Sequence, residues 1–188
     1  MKPEGILFGE ELYDIWKEVQ AKLPRKDYCE NLTDDKERTG WIIDEITGCV
    51  NITAEILEKD YQEVLNDLYE FLLSSRISLP DFTVKWIEGI SEEEFDEDEL
   101  SAFLDDTGMS EEEYLEYSAE GSYDISIVFE VLIYAFIIKN NPEFLISYLA
   151  KNDIYLNQKN LEKRAKLLMK IFNESVAEPK IEPVRKSL

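Results

Sequence analysis

Apolar side chains recur at steps of three and four residues along most of this chain, which is the period of an amphipathic helix. The first such run spans 9–23 and stops at Pro24. A longer run spans 54–75, where the hydroxyl of Thr53 is placed to cap the first turn. The last run begins at Asn157, another residue that favours the N-cap position. Its apolar positions are Leu161, Ala165, Leu168 and Phe172.

Two segments have patterns that suit both a helix and a strand. Phe82, Val84 and Trp86 alternate, which allows a short extended segment over 82–87. No partner strand can be identified for it, so a helix or an extended loop is favoured there. Residues 123–139 are the most apolar and are rich in β-branched side chains, but the length of the segment favours a buried helix. The pattern as a whole predicts an all-α fold, a compact bundle of about seven helices.

The length of 188 residues fits one domain. We expect a single helical domain over 1–176 that contains an acidic subregion, 88–124. We expect a flexible tail over 177–188, where Pro179 and Pro183 interrupt any helix. The hydrophobic fraction of 44% and the aromatic fraction of 12% are too high for a disordered chain, so the acidic residues belong to a folded body.

The formal net charge of −22 is distributed unevenly along the chain. From Trp86 to Ile138 there are 17 acidic residues and no Lys or Arg, whereas residues 139–188 hold 10 basic and 6 acidic residues. Such a field attracts basic surfaces and repels nucleic acid. The basic residues of the last helix either contact phosphate or act as an internal counterweight to the acidic region, and the net charge favours the counterweight. They are Lys159, Lys163, Arg164, Lys166 and Lys170.

The acidic region contains two Ser-x-x-Glu patterns, at 91–94 and 110–113, each of which predicts a capping box at the start of a helix. Gly108 separates the two. If 91–124 were one straight helix, it would be about 51 Å long and its 15 carboxylates would fall about every 3.4 Å, near the phosphate spacing of one DNA strand. A DNA-mimicking inhibitor displays charge in this way. The alternative is a solvated acidic face that keeps the protein soluble.

The sequence lacks the residues that several kinds of catalysis, metal binding and cofactor binding require. Histidine is absent, which removes imidazole bases, Ser-His-Asp triads and the usual zinc ligand sets. No EF-hand spacing and no glycine-rich phosphate loop occur, so we predict no metal and no cofactor. The absence of a signal segment and of a long apolar run predicts a cytoplasmic protein without a membrane partner. Cys29 and Cys49 are then expected as two thiols, although a disulfide between them is also compatible with their spacing.

These observations favour a non-catalytic acidic protein that neutralises or sequesters a basic protein partner, such as a nuclease or another nucleic-acid-binding protein. Immunity proteins and DNA-mimicking inhibitors use the same electrostatic principle. Direct nucleic-acid binding is not expected. The alternatives are a helical scaffold that assembles through apolar faces, and a His-free enzyme that uses carboxylates and a divalent metal. In the predicted binding site the carboxylates supply the electrostatic field and one tyrosine serves as an anchor. The predicted partner-binding residues are Glu92, Glu93, Glu94, Asp96, Glu97, Asp98, Asp105, Asp106, Glu111, Glu112, Glu113, Glu116 and Tyr117.

Overall fold

The protein is helical throughout the part of the chain that the computed structural model describes, which is 4–22, 47–91, 96–114, 126–152 and 155–176. Of these residues 87% are helical, in nine helices and without a sheet, which confirms the predicted all-α class. The helices are α1 (Glu4–Lys22), α2 (47–57), α3 (Tyr61–Ser74), α4 (Leu79–Ser91), α5 (Glu97–Thr107), α6 (111–114), α7 (Ser126–Asn140), α8 (Leu145–Asn152) and α9 (Gln158–Ser175).

Helix α7 forms the centre of the core. It packs against α1, α3, α4, α8 and α9, and every side chain from Val131 to Ile138 is buried. A helix that is apolar on all sides has to be covered on all sides, which explains why this segment shows no amphipathic stripe. The choice between helix and strand for 123–139 is therefore settled as a helix in its described part. None of the described helices combines the length and the apolar content that crossing a bilayer requires.

Helix α4 occupies the segment whose alternating pattern allowed an extended conformation, so the extended segment over 82–87 is wrong. Phe82 and Trp86 are four residues apart and share one buried face of this helix. Val84, which alternates with them in sequence, is only half-buried. Three apolar positions are too few to distinguish the period of a strand from that of a helix. The packing of α4 against α1, α7 and α9 selects the helix. Pro80 lies in the first turn, where its missing N–H costs no hydrogen bond.

The predicted helix over 54–75 is divided into α2 and α3, which is one reason why the structure has more helices than expected. The break lies at Glu58, whose φ of 53° is left-handed. Thr53 is not a cap, because it is buried inside α2 and its hydroxyl donates to the carbonyl oxygen of Cys49 at 2.8 Å. Asp60 caps α3 instead and accepts from the backbone N–H of Gln62 at 3.2 Å. The apolar stripe predicted here is confirmed in α3 by the buried Val64, Leu65 and Leu68.

The first and last helices follow the sequence pattern closely. Leu12, Trp16 and Val19 of α1 are buried. Asn157 caps α9 as predicted, with its side-chain oxygen accepting from the N–H of Asn160 at 2.9 Å. The predicted buried positions of α9 are all confirmed: Leu161, Ala165, Leu168 and Phe172.

Some predictions concern residues outside the described ranges. The end of the first helix at Pro24, Cys29 and the tail over 177–188 all lie there. The extent of one domain over 1–176 stays a prediction. Cys49 is half-buried in α2.

Candidate functional site

Helices α5 and α6 and the residues that cap them carry a high density of exposed acidic side chains. Residues 96–114 contain nine Asp or Glu and no Lys or Arg. Eight of these side chains are exposed, and Glu99 alone is buried. Within the described ranges the eight form no ion pair. We call them the acidic surface, and they are Asp96, Glu97, Asp98, Asp105, Asp106, Glu111, Glu112 and Glu113.

All eight residues of the acidic surface are among the predicted partner-binding residues. The structure places seven of them on two consecutive helices and Asp96 at the N-cap of the first, all as exposed residues, while Asp96 and Glu113 also accept hydrogen bonds from protein donors. The other predicted residues lie outside the described ranges. They are Glu92, Glu93, Glu94, Glu116 and Tyr117.

The start of α5 differs from the predicted capping box at 91–94. Ser91 is the last residue of α4, and Asp96 is the N-cap of α5. The Asp96 carboxylate accepts from the backbone N–H of Glu99 at 2.9 Å. This bond is the main cause that holds the pKa of Asp96 below its ordinary value of 3.8. Asp outranks most residues at an N-cap because its charge also favours the positive end of the helix dipole.

The end of α5 divides the acidic surface into two helices. Gly108 has a φ of 67°, and its N–H donates to the carbonyl oxygen of Leu104 at 2.9 Å, a left-handed C-cap. The capping box predicted at 110–113 then begins α6 and is confirmed. The N–H of Ser110 donates to Glu113 Oε2 at 3.0 Å, and the N–H of Glu113 donates to Ser110 Oγ at 3.1 Å. One straight row of carboxylates over 91–124 is therefore not formed.

Asp105 and Asp106 lie in the last turn of α5, close to the carbonyl groups at its negative end. No basic residue occupies this turn. Negative side chains at a helix C-terminus oppose the helix dipole, so these two aspartates do not stabilise the helix that carries them. By contrast, Glu97 and Asp98 lie in the first turn, where the same charge is favourable.

The N-termini of α5 and α9 meet in a polar cluster that we call the clamp, formed by Asp96, Glu99, Asn157 and Asn160. The side-chain amide of Asn157 donates to Asp96 Oδ2 at 2.8 Å and to Glu99 Oε1 at 3.0 Å. The amide of Asn160 donates to the same two oxygens, to Asp96 Oδ2 at 3.3 Å and also to Glu99 Oε1. The clamp therefore fixes the acidic helix to the body of the protein through side chains about sixty positions apart in sequence.

Glu99 is the buried member of the clamp. The residue is 3% exposed, and its Oε2 finds no hydrogen-bond partner among the residues that the structure describes. Burial raises the pKa of Glu99 above its ordinary value of 4.5, while the amide of Asn160 and the charge of Arg164 act in the opposite direction. The Arg164 guanidinium also lies 5.8 Å from the centre of the Trp86 ring. Arg164 therefore acts as the predicted internal counterweight, because its positive charge favours the ionised form of the buried Glu99.

An aromatic cluster lies beside the acidic surface. Phe103 of α5 contacts Tyr114 and Tyr155 edge to face, with ring centroids 5.6 Å and 5.3 Å apart. All three rings are half-buried, so each keeps some surface in solvent. Tyr155 was missed, because it stands in a short connection before α9 and no periodic pattern includes it.

The chemistry open to this site is electrostatic attraction, hydrogen-bond acceptance and aromatic contact. In the described ranges no three side chains among Asp, Glu and Cys are placed to hold a metal ion. Comparison of the chain with protein-family models, with curated proteins and with solved structures found no match.

Proposed function

We propose that this protein is a non-catalytic binding protein, and that its acidic surface neutralises or sequesters a basic protein partner. The partner would present Lys and Arg side chains, as nucleases and other nucleic-acid-binding proteins do. Charge of one sign on one surface raises the rate of association with a surface of the other sign.

The observation that carries this proposal is that the carboxylates of the acidic surface lack ion-pair partners in the described ranges. Elsewhere in those ranges five acids lie in ion pairs, among them Asp81, 2.6 Å from Lys22, and Glu55, 2.7 Å from Lys151. Grouping like charges destabilises a compact fold, and Asp105 in addition opposes the dipole of its own helix. A surface that costs stability in two ways is expected to serve binding.

The aromatic cluster supports the same function, because charge alone gives speed rather than specificity. Tyrosine rings supply large contact areas at low entropic cost and are enriched among residues that dominate binding energy. Arg side chains of a basic partner can also stack on such rings. Tyr114 and Tyr155 are the described tyrosines in position to do so, at the edge of the acidic surface.

The test first identifies the partner and then measures its rate of association with this protein. The native cell lysate is passed over the immobilised protein at low ionic strength, and a basic protein released at high ionic strength is the candidate. The association rate of the purified pair is then measured over a series of salt concentrations, for the wild type and for Asp105→Lys with Asp106→Lys. The matched control is Glu63→Lys with Glu70→Lys, two exposed acids of α3 that carry the same change of charge.

We expect the α5 variant to associate roughly tenfold more slowly and to show a flatter salt dependence, with a much smaller change in the control. Equal effects in both variants would mean that net charge matters and the acidic surface does not, which contradicts the proposal. Recovery of the bait alone, or of its own copies at every salt concentration, would favour the scaffold instead.

A further inference from the structure

Four lysines of α9 form a straight row on the surface that faces away from the core. They are spaced by four, three and four residues, which places them within about 60° of one another around the helix and along about 16 Å of its length. All four are exposed. The buried stripe of α9, with Leu161 and Leu168, lies on the opposite side. We call these residues the lysine row: Lys159, Lys163, Lys166 and Lys170.

The lysine row forms no ion pair with any residue of the described ranges. Arg76 and Lys139 likewise form no ion pair in those ranges, and what distinguishes the row is that four such lysines share one face of one helix, in a chain with 42 acidic and 20 basic residues. The lysines that do form ion pairs in the same ranges are Lys17, Lys22, Lys59, Lys85 and Lys151. Glu162 lies three residues after Lys159 and four before Lys166 but forms no ion pair with either, so the row is open to an external acidic group.

We propose that the lysine row binds the acidic surface of a second copy of this chain, in a two-fold symmetric dimer. The inference rests on the proposed function, since it assumes that the acidic surface binds protein. A basic partner and a second copy then compete for one surface, and dimerisation keeps that surface covered until the partner arrives.

The spacing of the two sets of charges supports this pairing. Asp98 and Asp105 of α5 are seven residues apart, and so are Lys159 and Lys166 of α9. Seven residues are about two helical turns, or about 10.5 Å, and bring both members to the same side of a helix. Each aspartate can therefore meet a lysine when the two helices lie side by side, whether they run parallel or antiparallel.

The clamp supports the two-fold symmetry. The amide of Asn157 lies 2.8 Å from Asp96 Oδ2, so α5 and α9 begin at the same place on the molecule. Asp98 follows the cap of its helix by two residues, and Lys159 follows the cap of α9 by two residues. The acidic surface and the lysine row thus extend from one shared junction. In the proposed dimer the two-fold axis passes through this junction between the two helices, so that each set of one copy lies on the opposite set of the other.

The net charge of −22 gives this dimer an unusual dependence on salt. At about 0.01 M salt the Debye length is about 30 Å, so the whole of one copy repels the whole of the other. At about 0.1 M the length falls to about 10 Å, which screens the distant charges and leaves the adjacent pairs effective. At about 1 M the pairs are screened as well. Exposed ion pairs are individually weak, so we expect a dissociation constant on the order of 100 µM at its tightest.

The experiment is sedimentation equilibrium of the full chain at these three salt concentrations and at protein concentrations around that constant. We expect a weight-average mass close to the monomer value of 22.0 kDa at low and high salt and a clear rise above it at the intermediate salt. Two variants reverse the charges, Lys159→Glu with Lys166→Glu and Asp98→Lys with Asp105→Lys. Each alone should weaken the dimer at least roughly tenfold, because every attractive pair becomes repulsive. An equimolar mixture of the two should restore it, because their surfaces are again complementary.

A matched control reverses two exposed basic residues outside the row, Arg76→Glu with Lys139→Glu, and reaches the same net charge as the lysine variant. It should dimerise like the wild type. A monomeric wild type at all three salts would overturn the proposal, and so would a mixture that stays monomeric. Binding of a short single-stranded oligonucleotide that depends on the row, without dimerisation, would assign the row to nucleic acid instead. If the lysine variant keeps the wild-type mass while Asp105→Lys with Asp106→Lys loses the basic partner, the proposed function stands and only the dimer is overturned.

Discussion

Asn157 caps α9 with its side-chain oxygen and, with the nitrogen of the same amide, donates to Glu99 Oε1 at 3.0 Å. One side chain thus completes the first turn of one helix and fixes the start of another. The second contact joins residues 58 positions apart. It connects the acidic helix to a helix whose own apolar stripe belongs to the core.

Asn157→Ala removes both contacts, so we expect it to lower the free energy of unfolding by about 1–3 kcal/mol. Urea denaturation measures this. Asn157→Ser is the matched control, because its hydroxyl can still cap α9 and lacks the amide donor to the clamp. The serine variant should therefore recover only part of the loss. If it recovers everything, the contact with Glu99 does not contribute to stability.

Glu99→Gln is expected to be more stable than the wild type at neutral pH. The glutamine keeps the Oε1 acceptor for the amides of the clamp and removes a buried charge. Because the folded-state pKa of Glu99 is raised, the neutral carboxyl favours the fold below the unfolded pKa, and that benefit is lost as pH rises through the folded pKa. The advantage of the variant should thus be largest at about pH 7 and disappear below about pH 4. Urea denaturation at a series of pH values tests this, and a constant difference across the series would contradict it.

Asp96→Asn is expected to reduce acid sensitivity, which is the opposite pH behaviour. The pKa of Asp96 is lowered in the fold, so its contribution is present above the unfolded pKa and is lost as pH falls through the folded value. Asparagine can cap α5 with its single oxygen, but its NH2 group then faces the amide donors of Asn157 and Asn160, so we expect stability near neutral pH to fall. The slope of stability against pH below the ordinary value of 3.8 should become shallower. An unchanged slope in acid denaturation would show that Asp96 does not contribute through its charge.

Gly108→Ala and Gly48→Ala are expected to change stability in opposite directions. A Cβ atom at either position would meet no atom within 4 Å, so packing does not distinguish them. At Gly108 the φ of 67° strains an alanine, and we expect a loss of about 1–2 kcal/mol. Gly48 lies in the helical residues of α2, where alanine should add about 0.5–1 kcal/mol. Thermal unfolding of the two variants beside the wild type measures both effects, and equal shifts would mean that backbone conformation is not the cause.

The acidic surface and the clamp differ in how far they could be predicted. Exposed carboxylates such as Asp105 were predicted because charge is a property of the sequence and an amphipathic pattern leaves it on the outside. The clamp was not, since the sequence pattern indicated Asn157 only as the cap of α9 and assigned no role to Asn160 or Glu99. Only the meeting of two helix ends buries Glu99 and provides its donors.

Local patterns in the chain predict the all-α class, the burial of α7 and the start of α9 at Asn157, because periodicity and capping act between near neighbours. Tertiary packing sets the features that depend on which helices touch. It makes Phe82 and Trp86 one face of a helix, places Tyr155 against Phe103, and joins Asp96 to Asn157. These contacts lower the free energy only once distant segments have come together, and no local pattern in the sequence carries that information.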